Sequence, residues 1–198
     1  MSKKTKGILF IISAPSGTGK TTLVEMLLEE FSDVIVKVIT YTTRKPREDE
    51  RQGVDYYFVT EEEFRNKQEA GEFLEHVKIF DYYYGTMKED VERVLQEGRH
   101  ALLIIDTEGA LRVKQRIQNS VLIFISPPDL QELQKRLDKR NTESLKDIQK
   151  RLEKAEREIK KICYYDYHFI NENLQHAYQI LRSIILAEEH KIISMRCL

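Results

Sequence analysis

The stretch Ala14-Pro15-Ser16-Gly17-Thr18-Gly19-Lys20-Thr21 constrains this chain more than any other. An apolar, β-branched run, Ile8-Leu9-Phe10-Ile11-Ile12, comes before it, and a helical pattern from Thr22 to Leu28 follows. Strand, glycine-bearing loop, helix is the context that turns such a motif into a phosphate site. Gly17 and Gly19 permit backbone angles and close approaches that a Cβ would obstruct, so successive N–H groups can face one anion. The helix that opens there adds the positive end of its dipole. Lys20 supplies a point charge for the β- and γ-phosphates, and the Thr21 hydroxyl is placed to ligate Mg²⁺. Ala14 stands where the strict pattern has glycine, a small residue in place of the smallest. The chain is expected to bind a nucleoside triphosphate. The loop by itself leaves GTPase, ATPase and small-molecule kinase open.

A length of 198 residues suits one domain, or one core carrying inserted subdomains. Lys+Arg (32) and Asp+Glu (33) nearly cancel, so no global field favours nucleic acid and no acidic excess favours disorder. Cys163 and Cys197 make neither a CxxC pair nor metal spacing, and the histidines form no metal-like cluster. A reduced, cytoplasmic protein is the expectation. The basic start before Ile8 imitates a signal peptide, but the apolar run is short for one and cleavage behind it would damage the phosphate loop. No apolar stretch approaches the roughly 20 residues needed to span a bilayer.

Beyond the first helix, Val34 to Ile39 has the composition of a second strand. Residues 40–53 are polar, charged and broken by Pro46 and Gly53, which predicts a long working loop. Val54 to Val59 reads as a strand, and Thr60-Glu61-Glu62-Glu63 as a capping box opening a helix to Ala70, closed by Gly71. Phe73 to Val77 is another short strand, and Tyr82 to Thr86 a tyrosine-rich turn. A helix from Glu89 to Glu97 ends at Gly98, and Ala101 to Asp106 is a buried strand ending in a carboxylate. Ligands of parallel α/β sheets sit at the carboxyl ends of strands, so Asp106 is expected near the phosphate loop. Val121 to Ile125 is the next core strand, and Asp129 to Lys161 a charged helical stretch interrupted at residues 141–144. Arg136 and Arg140, four apart, share a helix face. Tyr167 to Asn171 makes a last strand and Leu174 to His190 a closing helix.

Thr42-Thr43-Arg44-Lys45-Pro46-Arg47, then Gly53-Val54-Asp55-Tyr56, then Tyr83-Tyr84-Gly85-Thr86 follow the phosphate loop in order, with Arg136, Arg140 and Arg151 behind them. In that combination the sequence resembles guanylate kinase over nearly its whole length, residues 7–188. The resemblance implies a P-loop NTPase fold, an α/β three-layer parallel sheet core with an inserted GMP-binding subdomain and a helical lid. The implied core is 7–38, 89–128 and 159–198, with the insertion at 39–88 and the lid at 129–158. It implies transfer of the γ-phosphoryl group of ATP to GMP or dGMP, with Mg²⁺. By similarity Ala14, Pro15, Ser16, Gly17, Thr18, Gly19, Lys20, Thr21, Thr22 and Asn171 bind ATP. Arg44, Arg47, Tyr56 and Tyr84 hold the GMP phosphate, while Thr40, Glu75, Thr86 and Asp106 serve its base side. Arg136, Arg140 and Arg151 act from the lid on ATP and the migrating phosphoryl group. Thr21 and Asp106 serve Mg²⁺, partly through water, and Lys20, Arg44, Arg136, Arg140 and Arg151 are the catalytic set.

The residue chemistry agrees. Two polyanions must meet without repulsion, and guanidinium forks match phosphate geometry. A carboxylate at Glu75 can accept from both N1–H and the exocyclic amine of guanine, whereas adenine offers neither at that edge. Three departures stand out: Ile104 where the family commonly has Asp, Glu108 where Gln is common, and Tyr41 in place of a small residue. Two other readings remain, a kinase of another nucleoside monophosphate, and a phosphopeptide-binding module built on the same block. Glu75 discriminates the first and the intact Gly19-Lys20-Thr21 opposes the second. Neither nucleic acid, a membrane nor an obligatory protein partner is implied, and the chain is expected to be a monomer or a weak homo-oligomer.

Overall fold

The computed structural model describes residues 7–138 and 145–191; Arg140, residues 141–144 and Cys197 lie outside them. In chain order the elements are β1 (Leu9–Ser13), α1 (Lys20–Glu30), β2 (Ile35–Lys37), β3 (Tyr41–Thr42), β4 (Tyr57–Phe58), α2 (Glu61–Glu69), β5 (Phe73–Ile79) and β6 (Tyr82–Met87). Then come α3 (Lys88–Gln96), β7 (His100–Ile104), α4 (Thr107–Arg116), β8 (Val121–Ser126), α5 (Leu130–Asp138), α6 (Leu145–Ile159), β9 (Tyr167–Ile170) and α7 (Leu174–Glu189). The chain divides into two compact units, one holding β1 and Asp33–Leu122, the other Ala14–Ser32 and the chain from Ile123 onward.

In the first unit β1 and β2 flank β7, all parallel, with Leu9 opposite Ala101 and Ile35 opposite His100. Every residue of β1 is buried, the pattern of a strand covered on both faces. A second sheet runs in the order β4-β3-β6-β5. Its core is aromatic. Phe64 of α2 stacks on Phe73 at 4.5 Å and on Tyr83 at 5.5 Å between ring centroids. The capping box forms as expected: Thr60 accepts from the Glu63 N–H while the Glu63 carboxylate accepts from Thr60.

Two expectations need correcting. Tyr82 to Thr86 is a strand rather than a turn, pairing antiparallel with β5 from Ile79 opposite Tyr82 to Glu75 opposite Thr86. Aromatic side chains fit a pleated, half-buried surface, and the chain reverses one step earlier, at Phe80, whose φ is 52°. Asp106 does not end a strand. β7 stops at Ile104, and Asp106 caps α4, a helix with no counterpart in the sequence reading. Ala110 and Val113 bury its inner side.

In the second unit β8 and β9 are parallel, Ile123 opposite Tyr167 and Ser126 opposite Ile170. β8 is buried throughout. α1 packs against α7, where Arg182 Nε lies 2.6 Å from Glu30 Oε1 and the Tyr178 hydroxyl also donates to Glu30. α5 and α6 share a small apolar core of Leu133, Leu137, Ile148 and Ala155.

Candidate active site

The first unit assembles a carboxylate pocket. Glu75 on β5 is only 2% exposed, in a run where Phe73, Leu74 and Glu75 are all buried at the bulged start of the strand. Across the register, the Thr86 hydroxyl donates to Glu75 Oε1 at 2.7 Å. Oε2 is buried and has no hydrogen-bond partner. Burial pushes the Glu75 carboxyl up to about 7, with the Thr86 hydrogen bond opposing and the Asp106 charge adding to the shift. Asp106 Oδ1 accepts the Gly109 N–H at 2.8 Å as the cap of α4. Thr40 is buried and its carbonyl accepts the Tyr57 N–H. An unpaired, desolvated carboxylate is a costly object in a folded chain, and it is disposed to accept hydrogen bonds from a ligand.

A cationic group lies in the same unit. Arg44 pairs with Glu50 at 2.8 Å, with its side chain 14% exposed. Its guanidinium sits over the Tyr56 ring at 5.4 Å, and Glu50 and Tyr84 favour its charged form against the desolvation of burial. Tyr56 and Tyr84 meet edge-on at 6.1 Å. Arg47 is 64% exposed and reaches Glu50 only at 3.9 Å, while its backbone N–H donates to the same carboxylate. Arg44, Tyr56 and Tyr84 are therefore brought together, and Arg47 stands at the rim. Glu50 escaped the sequence reading. It is one acid among several in a charged loop, and only the fold reveals that it anchors Arg44. Tyr41 meets Tyr57 in a tilted ring contact at 4.7 Å and packs against the Phe64 cluster, so this departure is absorbed by aromatic packing. Glu108 is exposed on the first turn of α4.

The second unit assembles the loop. Gly17 and Gly19 adopt φ of 92° and 82°, a region that L side chains rarely enter. A Cβ on Gly19 would fall 2.6 Å from Asn171 Nδ2. That amide, in a residue 4% exposed, donates to the Thr18 carbonyl at 2.7 Å. The Thr18 hydroxyl donates to the Pro15 carbonyl, which closes the turn from inside. Lys20 begins α1, and Thr21 and Thr22 are exposed on its first turn. Arg151 Nη1 donates to the Ser16 hydroxyl at 2.8 Å, and Arg136 Nη1 to the Asn171 carbonyl at 3.4 Å. Arg136 also pairs with Glu132 one turn back. These two arginines are drawn onto the loop and its backing residue. Among the described residues no group of His, Cys, Asp and Glu could by itself hold a metal ion. Hydroxyl and carboxylate oxygens such as those of Thr21 and Asp106 suit Mg²⁺, which keeps several waters and is bound by few protein ligands together with substrate phosphates.

The family model for guanylate kinase matches residues 6–188. The chain is 56% identical to a guanylate kinase of Protochlamydia amoebophila over 96% of its own length and 95% of the relative's. It is 47% identical to one from Chlamydia felis, over 92% and 89%, and 40% identical to one from Clostridium perfringens, over 96% and 88%. Among solved structures it is similar to guanylate kinase from Anaplasma phagocytophilum, with a TM-score of 0.77 and 34% identity over 94% of this chain and 88% of that one.

Proposed function

The chain belongs to the guanylate kinase family, a P-loop α/β enzyme that phosphorylates GMP to GDP with ATP, and on that premise we propose how its residues divide the work. Glu75 reads the base. Thr86 holds Oε1, and Oε2 accepts from the N1–H and exocyclic amine edge of guanine, with Thr40 and Asp106 completing that side. The observation that carries this reading is the buried, unpartnered Oε2. AMP, which offers no donor there, would leave the carboxylate desolvated and unmatched. GMP and dGMP share the edge, so both are acceptors.

Arg44 and Arg47, with the hydroxyls of Tyr56 and Tyr84, bind the GMP phosphate, and Glu50 holds the Arg44 guanidinium in place before the substrate arrives. In the ATP half the N–H groups of the loop from Ala14 to Thr21 cradle the triphosphate, with Thr22 and Asn171 adjoining. Lys20 neutralises its terminal phosphates. Arg136, Arg140 and Arg151 add positive charge to the migrating phosphoryl group. A GMP phosphate oxygen is already an anionic nucleophile, so no side chain need remove a proton, and positioning with charge neutralisation supplies the acceleration. Mg²⁺, when bound, withdraws charge from the phosphate oxygens, and the oxygens of Thr21 and Asp106 are the residues here that would hold it. The reading assigns the enzyme to the cytoplasm as a monomer or weak homo-oligomer without a protein or nucleic-acid partner. Among the described residues no helix is long and apolar enough to cross a membrane.

The test is ADP release with ATP, Mg²⁺ and each of GMP, dGMP, AMP, CMP and UMP, for the wild type and Glu75→Gln. Turnover confined to the guanine nucleotides and weakened by the substitution is the expected result. Full guanine preference in Glu75→Gln would remove Glu75 from base selection.

A further inference from the structure

Gly109 occupies the first turn of α4, buried, between the two carboxylates of the first unit. Nothing in its backbone requires glycine, since its φ is not among the positive ones. Inside a helix glycine is the less stable choice relative to alanine, because it surrenders more conformational freedom. What glycine provides here is room. A Cβ at this position would lie 2.7 Å from Glu75 Oε2, 3.2 Å from its carboxyl carbon and 3.3 Å from Asp106 Oδ1. Oε2 is the oxygen with no hydrogen-bond partner, while Oε1 is tied to Thr86. The Gly109 N–H, in turn, is committed to Asp106 Oδ1. One residue thus touches both acids of the base side, one through its missing side chain and the other through its amide.

We propose that Gly109 is a positioning residue for guanine recognition: the absence of a side chain sets the depth and direction at which Glu75 presents its unpartnered oxygen. The inference rests on the reading of Glu75 as the base selector. A methyl at this position leaves α4 intact, because the atom it strikes is the tip of a side chain rather than backbone. The carboxylate turns away, and it does so by moving the oxygen that the base has to find. The fold tolerates the change and the base reading does not.

Gly109→Ala, Glu75→Asp and the double variant test this by steady-state kinetics and thermal unfolding. In Gly109→Ala the KM for GMP should rise about tenfold or more, the scale of losing one hydrogen bond to a charged group. The KM for ATP should stay unchanged and the thermal midpoint should not fall. Aspartate is one methylene shorter and stays clear of the methyl, so adding Gly109→Ala to Glu75→Asp should change the KM for GMP less than about twofold, the non-additivity of residues in contact. An unchanged KM in Gly109→Ala, or the same fold-change in both backgrounds, would overturn the proposal. So would a fall in thermal midpoint that Glu75→Asp does not restore, since the glycine would then serve the helix alone. Loss of guanine preference in Glu75→Gln alongside a silent Gly109→Ala would sink this inference and leave the base reading standing.

Discussion

Glu75 has an ordinary carboxylate value of 4.5 in an unfolded chain and about 7 in the folded one, because burial disfavours its charge. On the proposed reading Glu75 has to be ionised to accept two hydrogen bonds from guanine, which would link GMP binding to proton release. GMP affinity should rise with pH up to about 7 and level off above it, with a loss approaching about tenfold per unit well below that point. Isothermal titration in buffers of different ionisation enthalpy reads the released proton directly. Affinity independent of pH between about 5.5 and 8 would contradict the linkage. The sign for stability is opposite in the unliganded protein. Between 4.5 and about 7 the folded state holds a proton that the unfolded state has lost, so stability falls as pH rises through that window. Bound GMP offsets the fall, so its stabilising effect should be larger at pH 8 than at pH 6.

At the level of elements, the phosphate loop is held from behind. Asn171, just beyond β9, donates its amide to the Thr18 carbonyl, and Gly19 leaves the space in which that amide sits. Asn171→Ala removes the donor and leaves a buried carbonyl unpaired, a cost of about 1–3 kcal/mol. The expected result is a raised KM for ATP with the KM for GMP unchanged, measured with each nucleotide varied at saturation of the other. Asn171→Asp should be worse than alanine, since a carboxylate cannot donate and would set its charge against the carbonyl oxygen. Equal losses toward both nucleotides would mean that Asn171 supports the fold generally. Arg136 and Arg151 carry the same lesson. Their spacing in the sequence suits a solvated helix face as well as a working one, yet Arg151 is on Ser16 and Arg136 on the Asn171 carbonyl.

For the whole molecule, the buried strands carry the stability. Phe124 on β8 is fully buried, edge-on to Tyr165 at 5.2 Å. Phe124→Ala should cost about 3–5 kcal/mol, a large fraction of the roughly 5–15 kcal/mol typical of a domain. ATP at about a thousandfold its Kd returns about 4 kcal/mol by mass action, so urea unfolding with and without nucleotide should show the variant rescued. A variant with wild-type stability would show that the site collapses around the lost ring. The sequence by itself determined the phosphate loop, the apolar strands β1, β7 and β8 and the capping box of α2. Each is written in local pattern: glycine spacing, continuous β-branched runs, a Thr-x-x-Glu. Only the tertiary structure decided that Asp106 caps a helix, that Glu50 anchors Arg44, that Tyr82 to Met87 is a strand, and that Gly109 faces Glu75. Those facts depend on residues far apart in the chain meeting at fixed distances, where burial and the search of each polar atom for a partner set the outcome and no local pattern records it.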